Sequence, residues 1–172
     1  MNTLQTFREH KKALVERWIE AVFATYPLDT TGFLRTRQDE FCNPVGEITT
    51  TMGGYLYDAA AGEHIIPDRV QEALSRFVKL RSVQDFAPSQ GLGVIYVFKQ
   101  LMRETLLPLF VQGGKVDVYL EAESRVDTLA LMAFDMYLSS RETLAEQRIK
   151  EIRDQHSQIV RWMQTTQQSA KK

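Results

Sequence analysis

Residues 89–110 read SQGLGVIYVFKQLMRETLLPLF, and this stretch decides the fold class. Taken alone, VIYVF (94–98) is β-branched and aromatic and suits a buried strand. The apolar pattern does not stop there. It continues through Leu101, Met102, Thr105 and Leu106, too far for an ordinary strand. Residues 92–98 are apolar on nearly every side, as in a helix at the centre of a helical domain. A central buried helix is therefore expected here.

Downstream, Gly113-Gly114 marks a turn, and from Asp117 to Gln168 there is neither Pro nor Gly. A helix of about fifty residues is roughly 75 Å long, more than a compact domain of this size needs. Its first half, with Leu129, Met132, Ala133, Met136 and Tyr137, is expected to pack on the other helices. Its second half is expected to project or bend back. There Ala145, Ile149, Ile152, His156, Ile159 and Met163 alternate spacings of four and three. That is a short heptad seam with one polar residue, so it is a candidate interaction seam and coiled coil.

Upstream, Pro67 opens a helix with Asp68 in its first turn, and Val70, Leu74, Phe77, Val78 and Leu80 carry it to about Gln84. Asn43-Pro44 is a cap followed by Pro at the first helical position, and Gly62 supplies the stop for that segment. Gly53-Gly54 within it predicts a kink or a close helix approach. The first helix spans about Thr3 to Tyr26, with Leu4, Phe7, Leu14, Trp18 and Val22 on one face, Lys11 interrupting it, and Pro27 ending it. Residues 28–42 are polar and irregular. The expected architecture is all-α, a bundle of five to six helices with a long C-terminal helix. Residues 1–140 form the expected body and residues 141–172 a helical extension.

Composition narrows the function classes. The chain has 172 residues, 44% of them apolar, enough for one domain with its own core. Lys and Arg number 21 against 22 Asp and Glu, a net charge of −1, which argues against a nucleic-acid partner. Residues 141–172 carry seven basic and four acidic side chains, read as a solvated coiled-coil face. Cys42 is the single cysteine, so no internal disulfide forms. No apolar run reaches the length of a membrane span, and the N-terminus has no signal-peptide core, so a cytoplasmic protein is expected.

Groups for catalysis are sparse. His10, His64 and His156 lie on separate segments without metal-ligand spacing, so no metal is expected. A haem on His64 or His10 is the sharpest form of an alternative reading, a sensor for haem or an apolar ligand. Cys42 lacks a CxxC partner, and no phosphate-binding loop or nucleophile elbow is present. Glu121 and Glu123 fall on different helix faces. The expectation is a protein that is not an enzyme and has no cofactor. The aromatic and Met residues Phe77, Tyr96, Phe98, Met102, Met132, Met136 and Tyr137 have the helical spacing of a core.

The densest polar cluster is KLRSVQDFAPSQGLG (79–93). Arg81 and Asp85 are four apart, an ion pair if the helix continues. A capped helix–helix corner outweighs a ligand site: Asp85 or Ser89 caps, Phe86 packs and Pro88 starts the next helix.

Three segments carry a family resemblance. WIEAVFATYP (18–27), NPVG (43–46) and above all LRSVQDFAPSQGLGVIYVFKQL (80–101) resemble the N-terminal domain of RsbT co-antagonist proteins, the RsbRD type. The resemblance covers roughly residues 10–140, and R-x-V-Q-D-F-x-P-S-Q with the apolar run and Lys99 is its specific core. It implies an all-α, globin-like input domain without haem, which dimerises and serves bacterial stress-response signalling. Relatives feed a phosphorylatable STAS domain or a histidine kinase. No segment here matches either, so a free-standing input domain acting on a signalling partner is expected. Asn43, Arg81, Gln84, Asp85, Pro88 and Ser89 carry over only as the family's signature corner.

Overall fold

Helix α1 (Thr3–Phe23) begins where Asn2 Oδ1 accepts the Gln5 N–H at 3.2 Å. The computed structural model describes the backbone of residues 2–27, 43–63, 66–84 and 86–169. Cys42, His64 and Asp85 lie outside the described residues. α1 buries Phe7, Leu14, Val15, Trp18, Val22 and Phe23. One member of its expected stripe departs from it, and the charged interruption finds a partner. Leu4, in the first turn, is 45% exposed, and Lys11 reaches across to Asp58 at 2.6 Å. The helix stops at Phe23, three residues before Tyr26, and two tight turns follow: Thr25 N–H to the Val22 carbonyl and Tyr26 N–H to the Phe23 carbonyl.

Helix α2 (Pro44–Ala61) is capped by Asn43, whose Oδ1 accepts the Gly46 N–H at 2.9 Å. It ends at Gly62, which adopts φ 71°, a left-handed value that glycine reaches without strain. The expected close approach occurs at Gly53. A Cβ there would lie 3.0 Å from the Trp18 ring and 3.1 Å from Val15, so its absence lets α2 pack on α1.

Helix α3 (Pro67–Val83) buries Val70, Ala73, Leu74, Phe77, Val78 and Arg81. Helix α4 (Pro88–Thr105) contains the VIYVF stretch, so the long apolar period outweighs its local strand preference. One reading changes here. The segment does not run unbroken to Phe110. It ends at Thr105, and α5 (Leu107–Gln112) restarts after Leu106. Pro108 has no N–H to donate back to the Glu104 carbonyl, which accounts for the break. Gly114 at φ 63° turns the chain into α6 (Val116–Ser169), 54 residues without interruption.

The chain divides into two compact units, Met1–Tyr137 and Leu138–Lys172. The core of the first is aromatic. Trp18 is fully buried, with the Phe77 and Phe98 rings at 5.7 and 6.2 Å, and its Nε1–H donates to the Val94 carbonyl at 2.7 Å. Tyr57 donates its hydroxyl to the Phe7 carbonyl at 2.6 Å, and Phe7 meets Phe110. Each ring therefore fills volume, and the polar ones find a partner. The expected core list holds for Phe77, Phe98, Met102 and Tyr137. Tyr96 and Met132 are exceptions, at 57% and 36% exposure. Tyr96 lies about 100° around the helix from the inward-facing Ile95, beyond the buried face.

In the second unit, Ala145, Ile149, Ile152, His156, Ile159 and Met163 are all exposed. Among the described residues no helix is long and apolar enough to cross a membrane.

Candidate functional site

Three groupings of side chains stand out, and the 79–93 corner is the most unusual. α3 ends at Val83, and Asp85, the partner expected for Arg81, lies outside the described residues. Arg81 turns inward and is fully buried. Its Nε donates to the Gly91 carbonyl at 3.3 Å, Nη1 to Thr25 Oγ1 at 3.0 Å and Nη2 to the Gln90 carbonyl at 3.2 Å. Thr25 can accept because its own hydroxyl hydrogen goes to the Val22 carbonyl at 2.7 Å. The guanidinium lies 3.9 Å from the Phe86 ring centroid and 5.3 Å from that of Tyr26. No carboxylate among the described residues pairs with it. A buried cation is costly unless neutralised or solvated by dipoles. Here three oxygens and two π faces take the place of water.

The rest of the corner is fixed around that cation. Tyr26 donates its hydroxyl to Gln84 Oε1 at 3.0 Å. Tyr137, from α6, donates to the Phe86 carbonyl at 3.0 Å. Gly91 lets the Tyr137 ring close in, since a Cβ there would be 3.0 Å from Cε2. Of the two caps expected here, Asp85 lies outside the described residues. Ser89 is exposed and makes no capping bond; Gln90 Oε1 instead accepts the Ala87 N–H at 3.1 Å. Of the signature residues, Arg81 and Gln84 join this cluster, while Asn43 caps α2. Pro88 and Ser89 instead line a shallow apolar groove of about 320 Å³ with Leu92, Tyr96, Ala130, Leu131 and Phe134.

The second grouping was not legible as a site. Glu123 is 8% exposed and gathers cations and a phenol. Arg103 approaches it at 3.0 Å, Lys99 at 3.7 Å, and the Tyr119 hydroxyl donates to Oε1 at 2.6 Å. Lys99 also binds Asp127 at 2.8 Å. Burial and the hydrogen bond to Glu123 push the Tyr119 pKa up, and Arg103 opposes them. The same carboxylate raises Arg103. A signal existed in the sequence: Lys99 and Arg103 are four apart, as are Tyr119, Glu123 and Asp127. Glu121, as expected, faces elsewhere, and pairs with Arg125 at 2.9 Å.

The third grouping is the seam of the second unit, whose apolar members include Ile149 at 56%, Ile152 at 66% and Ile159 at 55% exposure.

The two described histidines, His10 and His156, lie in different compact units. His10 Nδ1 lies 2.8 Å from the Thr6 carbonyl one turn back, and His156 is exposed in the seam. Among the described residues no cluster of three or more His, Cys, Asp or Glu is placed to hold a metal ion.

The sequence model of the family described as RsbT co-antagonist protein rsbRD N-terminal domain matches residues 12–152. No curated protein and no solved structure matches the chain at a significant level.

Proposed function

The chain belongs to the RsbT co-antagonist rsbRD N-terminal domain family, a family of signalling regulators, and from that premise we propose a non-enzymatic input domain that works by protein–protein contact. It pairs with a second copy along the 145–163 seam and passes a signal from the helical body to a signalling partner in the cytoplasm. One observation carries the reading: six heptad positions of one helix face, four of them Ile or Met, are all exposed in the single chain. A helix segment that buries no apolar face is marginal in water, so this segment has reason to seek a partner. His156 serves in the seam as a polar residue that fixes register. The switch requires two states of the body with different affinity for the signal.

The test is the full-length Ile152→Glu/Ile159→Glu double variant in size-exclusion chromatography with light scattering. A wild-type dimer that becomes a monomer of 19.8 kDa supports the reading. A mass unchanged by the two charges sinks it.

The groove at Pro88, Leu92, Tyr96, Leu131 and Phe134 favours a second reading, a sensor for a small apolar ligand. Native mass spectrometry of the purified protein tests it. A co-purifying species lost in Leu131→Glu supports it, and a bare chain mass counts against it.

A further inference from the structure

A cleft of about 90 Å³ opens between α2 and α3, and it shares no residue with the three groupings above. Thr51 and Tyr55, four apart on α2, form one wall. Arg69, Glu72, Ala73 and Arg76 recur at three and four on α3 and form the other, so each wall is a single helix face. Ala73 is buried, and its small side chain leaves the room above it. Arg76 and Thr51 are already satisfied, both by Glu47. Arg76 Nη2 lies 2.8 Å from Glu47 Oε2, and the Thr51 hydroxyl donates to Glu47 Oε1 at 3.1 Å. The other polar groups are not. Arg69 and Glu72 make no ion pair, and the Tyr55 hydroxyl no hydrogen bond, with any described residue. Arg69 also stands in the first turn of α3, where the helix dipole disfavours a cation. The cleft therefore holds one cation, one carboxylate and one phenol whose bonding capacity the fold does not use.

We propose that this cleft binds a small α-amino acid as its zwitterion: Arg69 takes the carboxylate, Tyr55 adds a hydroxyl donor and Glu72 takes the ammonium. Charge selects the ligand class. Arg76 and Glu47 cancel, which leaves Arg69 and Glu72 as one charge of each sign. A simple anion would meet Arg69 and be repelled by Glu72, and a simple cation would suffer the reverse. A molecule that carries both charges is served at both ends. The guanidinium suits the carboxylate because its planar fork matches the two oxygens. The positive end of the α3 dipole lies on the same side and favours the same orientation. Size selects within the class. A water-sized group occupies roughly 10–15 Å³, so a space of about 90 Å³ takes about six such groups, the size of glycine or alanine. The bound molecule bridges α2 to α3 and gives the body a chemical signal to read. The site stands whether or not two copies of the chain pair.

The experiment is an amide NMR titration of the full-length protein with L-alanine. Saturable shifts centred on residues 51–55 and 69–76 are expected, with a Kd of about 1 mM or tighter. Propionate and ethylamine each keep one of the two charges, and both are expected to bind about tenfold more weakly, as is inorganic phosphate. Arg69→Gln and Glu72→Gln should each weaken alanine about tenfold, the loss of one charged hydrogen-bonding partner. Both side chains are exposed and hold no partner in the fold, so the variants keep the wild-type structure. No saturable shift with alanine overturns the site. Phosphate binding as tightly as alanine also overturns it, since the cleft would then be a plain anion site. So does alanine binding that both variants leave unchanged, which would place the ligand elsewhere.

Discussion

The two parts of α6 are built from the same helix-favouring residues and meet opposite fates. Between Tyr119 and Tyr137 the helix buries Tyr119, Ala122, Glu123, Val126, Leu129, Ala130, Ala133 and Tyr137. From Leu138 to Met163 no residue is fully buried, and only Ser140, Arg141, Leu144 and Val160 are half-buried. Local propensity is similar in both, since neither contains Pro or Gly. The difference lies in what the apolar face finds. The first part presents small and aromatic residues to neighbouring helices. The second presents Ile149, Ile152, Ile159 and Met163 to solvent. Helicity is thus a poor guide to role, and the exposed apolar face is the better one.

The contrast can be broken at four places, taken here by their effect on body stability. Trp18→Ala removes the largest buried ring and is expected to cost about 3–5 kcal/mol in denaturant unfolding, because the site cannot collapse around it. A loss below about 1 kcal/mol would mean that the body is not packed as described. Glu123→Gln strips the shared charge from Arg103 and Lys99 and is expected to cost about 1–3 kcal/mol. An unchanged unfolding midpoint would reduce this cluster to surface decoration.

Tyr57→Phe is expected to cost about 1 kcal/mol, the net worth of its bond to Phe7. It also sharpens the comparison through pH. Burial, with the charges of Asp58 and Glu63 behind it, raises the Tyr57 pKa above the ordinary 10.0. The folded tyrosine therefore keeps its proton where the unfolded one loses it. Its stabilising contribution is intact below pH 10 and falls as the pH rises beyond it. A stability–pH curve from 8 to 11.5 should bend down above 10, and Tyr57→Phe should make that fall shallower. Identical slopes would count against the burial. The smallest effect is expected in the tail. Ile152→Ala with Ile159→Ala should leave body unfolding within about 0.5 kcal/mol while weakening any pairing. A loss of several kcal/mol would show that the body depends on that segment.

Much of this was legible in the sequence, because the signals were local. Asn43 and Gly62 bound α2 as their chemistry predicts, and periodicity placed a helix in the 89–110 stretch, most of which is α4. The length of α6 follows from the absence of breakers. What the sequence hid is non-local. The described partners of Arg81 are Thr25 beyond the end of α1, two carbonyls of α4 and the Phe86 ring, and no spacing within its own helix states them. Glu123 was visible only as one of two nearby acids. Its burial depends on Arg103 and Lys99 lying opposite, which no single-helix pattern states. Tyr96 was misplaced for a related reason: a helix apolar all round still needs neighbours on every side, and this one lacks a cover at Tyr96.

The two tryptophans give the protein a pair of built-in optical reporters. Trp18 is sealed in the aromatic core with its indole N–H on a carbonyl, while Trp162 is 69% exposed. Their emission should therefore separate into a blue, quencher-shielded band and a red, quencher-accessible one. Replacing Trp162 with Phe leaves a fluorophore that sees only the core, and the difference spectrum isolates the seam. Association, unfolding and ligand entry could then be followed in one cuvette, each with its own colour, without attaching a label.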